Sequence, residues 1–422
     1  MLQRAGLHAL SYGPFRAFFA ANFFTNASWF VYNAAFGWLV LHLTGSPATV
    51  GFAYFLSGLP FLLFTLHAGL LTDRFGARPL IAWSFALTGS LMFALGALAL
   101  VPDVPLPLVL ILAFAAGTTQ TLGGPAYIAV VNDLVPPGVV PSGVSLTFLG
   151  FNIGRIIGGF LGGLLIAVWP TGWALIAAAA LQALPAIAIW RIRTPPPPER
   201  PPGRTSLIRP LLEAARYAGT SPWLRILLPL AIAPGMLGLS YTYLLPVAAV
   251  ELGIGAEGLG VLLAVTGAGG LAMGLAAGAL MRAFGHGTMV FAGIASAGIG
   301  MVIFGLAPAT VVAVAAMSLV GGGLLAFGAS SMSLVQALAP SRLRGRLTSL
   351  FTLLYWGLMP VGGLLGGALS EVSSARTTMA VFGSLVLIAG GIALVIRRSV
   401  ATLRIDEEGG EIVGLVPVEV AA

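Results

Sequence analysis

The chain has 422 residues, of which 58% are hydrophobic and 8% are charged. Soluble domains carry about 25% charged residues, so this composition excludes a soluble globular protein and indicates a polytopic membrane protein. The net charge of +7 comes from arginine because the chain has no lysine, and the absence of cysteine excludes disulfides and thiolate metal sites.

Twelve apolar stretches each approach the roughly 20 residues that a helix needs to cross the hydrocarbon core. The first is too long for a signal-peptide core and no small-residue cleavage site follows it, so we expect it to be retained. The predicted fold class is therefore an all-α membrane protein with twelve transmembrane helices in two pseudo-symmetric six-helix bundles. The predicted spans are 17–41, 48–71, 79–101, 107–130, 144–169, 172–192, 226–250, 259–281, 288–306, 310–338, 347–369 and 377–396.

The arginines predict the orientation of the chain in the membrane. If both termini are cytoplasmic, the inner connections hold nearly all loop arginines and the outer connections hold Arg376 alone. Cytoplasmic loops carry the excess of Lys and Arg, so we attribute the basic charge to topology and expect no nucleic-acid partner. The predicted parts are an N-terminal bundle at 1–192, a cytoplasmic linker with an amphipathic segment at 193–225, a C-terminal bundle at 226–398 and a cytoplasmic tail at 399–422. The amphipathic segment is expected to lie on the inner membrane surface.

The first helix carries an unusual set of polar residues. Asn22, Asn26 and Asn33 fall on one helical face, which lipid would not tolerate. This face either lines a water-filled cavity, together with Tyr32, or forms hydrogen bonds between helices.

A polar connection separates the second and third apolar stretches. It reads Gly69-Leu70-Leu71-Thr72-Asp73-Arg74-Phe75-Gly76-Ala77-Arg78. This resembles the signature loop of the major facilitator superfamily, with Ala77 in place of a usual arginine. The resemblance implies a gate in which Asp73 caps a facing helix of the other half in the outward-facing state; the alternative is a loop that only fixes topology. The gating residues that it implies are Gly69, Asp73, Arg74, Gly76 and Arg78.

The two halves of the chain repeat one another. Sliding the chain by 204 residues pairs 131–164 with 335–368 without a gap, and 11 of these 34 positions are identical. The segment 278–286 is a worn second copy of the signature loop, in which Arg282 stands where the acid would be. We interpret both matches as an internal duplication.

The fifth apolar stretch has glycines spaced by four, which lets two helix backbones approach closely. It resembles the antiporter motif of the same superfamily, with Gly159 at the usual proline position, and that motif is associated with exporters. Together with the segment 132–137, which includes Asp133, it is similar to the branch that holds enterobactin exporters and macrolide efflux proteins. The motif residues are Gly154, Gly158, Gly162 and Gly163.

Arg155 lies near the middle of this fifth helix. An arginine at that depth costs about 2.5 to 3.5 kcal/mol on insertion scales, so it is rarely left facing lipid. It either contacts an anionic substrate group or responds to a coupling proton, or it is satisfied by backbone carbonyls and by amides such as Asn152 or Gln120. The residues predicted to line the substrate pocket are Asn22, Asn26, Tyr32, Asn33, Gln120, Arg155, Tyr241, Tyr243 and Tyr355.

These features predict a secondary transporter of the major facilitator type that exports a small amphipathic or anionic compound, with H+ as the coupling ion. Asp133, Glu251 and His67 are the possible proton carriers. The chain without lysine has no Walker A loop, and no catalytic motif occurs, so we expect no enzyme, cofactor or metal. We expect a monomer in the bacterial inner membrane. The alternatives are an importer on the same scaffold and a non-transporting membrane enzyme or assembly partner.

Overall fold

The computed structural model describes residues 7–191, 208–396, 398–405 and 412–413. Nearly all of them are helical. A helix pairs its backbone N–H and C=O groups within one segment, so that a long apolar run can cross a membrane in this form. Two short antiparallel strands, β1 (Arg404–Ile405) and β2 (Ile412–Val413), follow the last helix. The helices are α1 (Gly13–Thr44), α2 (Pro47–Phe75), α3 (Ala77–Leu98), α4 (Leu106–Leu134), α5 (Val140–Val168), α6 (Thr171–Arg191), α7 (Ile208–Thr220), α8 (Leu224–Leu230), α9 (Tyr241–Glu251), α10 (Gly255–Phe284), α11 (His286–Leu306), α12 (Thr310–Leu338), α13 (Arg344–Thr352), α14 (Met359–Val372) and α15 (Ala375–Ile396).

Within the described ranges, eleven helical segments are long and apolar enough to cross a membrane. Two of them are composite: Leu224–Glu251 joins α8 to α9, and Arg344–Val372 joins α13 to α14. Helix α1 has 32 residues and is also long enough, but its asparagines lower its mean hydropathy. The helices agree with the predicted all-α membrane fold, and α1 accounts for the difference between eleven segments and twelve.

The contacts divide the chain into two compact units. The first contains Met1–Thr205 and Tyr243–Gly267, and the second contains Ser206–Thr242 and Ala268–Ala422. In the first unit, the buried Phe15, Phe18 and Ile81 belong to a core that joins α1, α3, α4, α5 and the end of α6. The stretch from Tyr243 to Gly267, with all of α9 after its first two residues and the beginning of α10, therefore belongs by its contacts to the first unit, although it follows the linker in sequence.

The two copies of the signature loop make the same turn. Gly76 has φ 82° and ψ 152° and links α2 to α3, and Gly285 has φ 89° and ψ 151° and links α10 to α11. Only glycine adopts this backbone region without strain, so each copy needs a glycine at this position. The predicted duplication extends to these two backbone conformations.

The composite crossings are interrupted by π-helical turns at Pro234–Gly238 and Leu353–Gly357. Proline has no N–H to donate, so Pro234 interrupts the α-helical pattern at the first of these turns. The two turns pack together inside the second unit, because a Cβ atom on Gly235 would overlap the backbone of Tyr355. The sequence patterns predicted continuous helices here.

In each half, the segment before the first membrane-crossing helix is hydrogen-bonded to the start of the fifth membrane-crossing helix. In the first half, the Ala9 N–H donates to Ser142 Oγ at 3.2 Å. In the second half, the Glu213 carboxylate of α7 accepts from Arg346 and from Arg342, the latter at 2.6 Å. Helix α7 is thus tied to the beginning of α13, which the prediction of a helix on the membrane surface did not include.

The ion pair between α7 and α13 predicts a dependence of stability on pH. The Arg342 guanidinium, which donates a hydrogen bond to Glu213, lowers the pKa of that carboxyl below its ordinary value. A carboxyl whose pKa is lower in the folded state stabilises the fold above its unfolded pKa, and this contribution is lost as the pH falls through the folded pKa. We expect Glu213→Gln to lower the thermal unfolding midpoint at pH 7 and to match the parent chain once the pH lies below the folded-state pKa of Glu213. A midpoint difference that persists unchanged at the lower pH would contradict this account of the bridge.

Candidate functional site

The polar face of α1 is engaged in hydrogen bonds. The buried Asn22 donates from Nδ2 to the Thr147 carbonyl of α5 at 2.7 Å, and Asn26 donates to the Asn22 carbonyl at 2.7 Å. Asn33 donates within α1 to the Trp29 carbonyl at 2.8 Å. Of the two alternatives for this face, hydrogen bonding between helices is therefore what the structure shows for Asn22.

A second polar contact joins α1 to α6. Thr25 Oγ1 donates to Gln182 Oε1 at 2.9 Å, and Ser28 Oγ donates to the Ala178 carbonyl at 2.7 Å. The side chains of Thr25, Ser28 and Gln182 would be costly to expose to lipid, and these contacts pair them inside the protein. These hydrogen bonds fix the rotation of α1 about its axis, so that Phe36, with Tyr32 stacked on it, faces α2.

A cluster of buried aromatic rings joins α1, α2 and α9 within the first unit. Tyr54 stacks on Tyr243 with ring centroids 4.1 Å apart, and Phe36 meets Tyr54 edge to face at 5.3 Å. Tyr32 stacks on Phe36 at 5.6 Å. Offset-stacked and edge-to-face pairs add about 0.5–1.5 kcal/mol each beyond their burial, so this aromatic cluster is a strong contact.

Tyr54 was missed by the sequence predictions, whereas Tyr32 and Tyr243 were included. The Tyr54 hydroxyl donates to the Asn33 carbonyl at 2.6 Å. Gly37 makes room for it, because a Cβ atom there would overlap the Tyr54 hydroxyl and Pro246. One tyrosine within the apolar α2 was the sequence signal that could have pointed to this position.

The glycines of α5 form two adjacent faces. Gly154 and Gly158 contact the backbone of α1 so closely that a Cβ atom on Gly158 would overlap the Ala27 carbonyl oxygen. Gly159 and Gly163 face α10, where a Cβ atom on Gly163 would overlap Gly260. Gly162 completes the first face beside Val31. The predicted close packing of α5 is present, and it involves two partner helices.

Arg155 lies on α5 between these two glycine faces. Its Nη2 donates to the Thr266 carbonyl of α10 at 3.0 Å, and its buried Nε has no hydrogen-bond partner among the described residues. Asn152, one turn earlier, is 4% exposed and leaves its Oδ1 without a partner in the same described set. The guanidinium is partly buried and keeps donors that another group can use.

The other predicted pocket residues are divided between the chain's two units. Gln120 of α4 is half-buried in the first unit, and its Oε1 finds no partner in the described part of the chain. Tyr241 and Tyr355 belong to the second unit, and the Tyr355 hydroxyl donates to the Leu324 carbonyl at 2.7 Å. Both tyrosines are buried.

The signature loop has a local structural role in the first unit. The Arg78 guanidinium donates to the Ile189 carbonyl at 3.2 Å and to the Trp190 carbonyl, so it caps the end of α6. Arg74 is exposed and lies over the Phe75 ring. The predicted gating contact of Asp73 involves a side chain outside the described residues. A Cβ atom on Gly69 would have open space around it, and Asp133 is exposed near the end of α4.

Comparisons with known proteins cover nearly the whole chain. A family profile described as transmembrane secretion effector matches residues 5–408. The enterobactin exporter EntS of Citrobacter koseri is 25% identical over 378 residues, covering 89% of this chain and 90% of that protein. The multidrug efflux pump Tap of Mycolicibacterium fortuitum is 26% identical over 374 residues, covering 86% of this chain and 91% of that protein.

Solved transporter structures share the fold. The nucleoside transporter NupG has a TM-score of 0.72 at 14% identity, covering 91% of this chain and 99% of that chain. A POT family transporter in complex with 5-aminolevulinic acid has a TM-score of 0.73 at 13% identity, covering 92% of this chain and 97% of that chain. At these identities the likeness shows the fold alone.

The packing of α5 against α1 predicts that a side chain at Gly158 is not tolerated. We expect Gly158→Val to lower the free energy of unfolding by about 1–3 kcal/mol, because the new side chain meets backbone that cannot move aside. The thermal unfolding of the purified protein measures this loss. Gly124→Val is the matched control, since a Cβ atom at Gly124 has open space around it. Equal unfolding midpoints for the two variants would rule out the α5–α1 contact.

Proposed function

The chain belongs to the transmembrane secretion effector family, and from this we propose that it exports a small amphipathic or anionic compound from a bacterial cytoplasm by alternating access. Family membership confirms the resemblance drawn from the signature loop and the glycines of the fifth helix. The protein is a multi-pass membrane transporter of the major facilitator type, and its matched relatives are exporters rather than enzymes. We further propose that the inward movement of protons drives this export.

The observation that carries the proposal is the packing of α5, with Arg155 at its contact with α10. We assign both termini to the cytoplasm, since the arginine-rich connections then lie inside. The ends of the helices near Gly45 and Gly253 then face outward. On that side, Tyr54 lies seven residues from the start of α2, or about 10 Å at 1.5 Å per residue.

In this arrangement the contacts within the first unit close the outer side. The stretch Tyr243–Gly267 packs there through the aromatic cluster and through the glycines of α5. Release of substrate outward requires this stretch to separate from α1, α2 and α5. Glycine faces suit such a step, because helix backbones in direct contact have few interlocking side chains to disengage.

The proposed substrate contact is the Arg155 guanidinium. The guanidinium presents five donors in a planar fork, of which one is used by the Thr266 carbonyl. The unpaired Nε is buried in this structure, and it can donate to a carboxylate, phenolate or phosphate oxygen once α5 and α10 separate. The neighbouring Asn152 Oδ1 can accept from a hydroxyl or amide of the same compound. The aromatic residues of α1 and α9 are buried against one another in this structure, and they become an apolar surface on the outer side when the cluster separates.

Export itself is tested in cells that lack or overproduce the protein. A panel of drugs and siderophores is compared for resistance and for secretion, and compounds that respond are then followed in inverted membrane vesicles. We expect accumulation inside inverted vesicles that collapses when the pH gradient is dissipated. Movement of the same compound in the opposite direction would make the protein an importer and would contradict the proposal.

Removing the guanidinium should impair transport without unfolding the protein. A hydrogen bond to a charged group contributes about 1.5–3 kcal/mol, so we expect Arg155→Leu to weaken the apparent substrate affinity about 10- to 100-fold. Arg155→Lys keeps the charge and should retain part of the affinity. Arg344→Leu, at an exposed arginine of α13, is the control for loss of positive charge. Unchanged transport by a well-folded Arg155→Leu variant would remove Arg155 from the mechanism.

A further inference from the structure

The two signature turns are tied down by different means. The residue two positions after the turn glycine is Arg78 in the first half and Gly287 in the second. Arg78 reaches the last carbonyls of α6 and thereby ties its turn to the end of the last helix of that half. Gly287 has no side chain that could do this, so the second turn requires another tie.

The chain that follows α15 occupies this place. The Gly287 N–H donates to the Leu403 carbonyl at 3.0 Å, and Thr288 Oγ1 donates to the Ala401 carbonyl at 3.0 Å. Val400 and Leu403 are fully buried. The last segment is therefore packed against the turn between α10 and α11, although the predicted cytoplasmic tail begins at 399.

Glycine at two positions makes this packing possible. A Cβ atom on Gly287 would overlap the Val400 carbonyl oxygen. Arg404 packs over Gly285, and its Nη2 lies 3.4 Å from the Ala283 carbonyl. Gly285 is needed for the turn itself, whereas Gly287 is needed only because another backbone passes so close.

We propose that Arg398–Ile405 is a clip that fastens the α10–α11 turn to the end of α15 and keeps the second half rigid. In both halves the turn between the second and third helices is joined to the chain at the end of the sixth. A side chain makes that join in the first half, and a docked segment makes it in the second. Rigid-body movement of one half against the other needs such internal fastening, because a loose helix end would absorb the movement.

Labelling of an introduced cysteine tests whether the clip is closed. The chain has no cysteine, so Leu403→Cys provides a unique thiol at a fully buried position. We expect it to react slowly with a polar maleimide, and at least about tenfold faster when Gly287→Ala is added, because local opening exposes it. Gly391→Ala, at a glycine of α15 with open space around it, should leave the rate unchanged. Fast labelling of Leu403→Cys in the otherwise unaltered chain would overturn the clip.

A truncation cycle tests the same proposal without a new thiol. A chain that ends at Arg398 should unfold at a lower temperature than the full chain, whereas a chain that ends at Val413 should match it. Gly287→Ala should lower the unfolding midpoint of the full chain and have no effect in the chain that ends at Arg398. An equal loss in both backgrounds would show that the substitution acts within the helices and would refute the clip. Neither measurement depends on the substrate or on the direction of transport.

Discussion

The close approach of helix backbones along α5 is the constraint on which the first unit depends. In a bilayer the hydrophobic effect does not drive helices together, so close packing and hydrogen bonds have to hold them. Gly154 and Gly158 bring α5 onto α1, and Gly159 and Gly163 bring it onto α10. The position of Arg155 follows from this, because its acceptor is a backbone carbonyl of α10 that comes within reach only when the two helices touch.

Much of this packing could be predicted because its signal is local. Glycines four residues apart indicate a close helix contact, and an arginine in an apolar helix indicates a partner inside the protein. The identity of the partners could not be predicted, since the acceptor Thr266 is 111 residues away in the sequence. The spacing of residues within one helix indicates which of them share a face, but it does not indicate which other helix packs against that face.

The asparagines of α1 illustrate the same limit. Their spacing correctly placed Asn22 and Asn26 on one face, yet both a cavity and a helix contact would produce that pattern. In the structure Asn22 donates to the Thr147 carbonyl of α5. Tyr54 was not predicted because its role depends on stacking with Tyr243, a contact that only tertiary packing creates. The π-helical turns were missed because hydropathy depends on composition and is insensitive to how the backbone is wound.

The two signature turns also show which parts of a duplicated element can drift. Gly76 and Gly285 retain nearly the same dihedral angles, while the residues around them have diverged in charge and in the way each turn is held. A glycine imposed by backbone geometry has no substitute, whereas an electrostatic contact can be exchanged for a segment of main chain. In a protein built from two copies, the residues required by backbone geometry therefore stay the same in both copies and reveal their common origin. The charged residues differ between the copies and reflect how each copy has specialised.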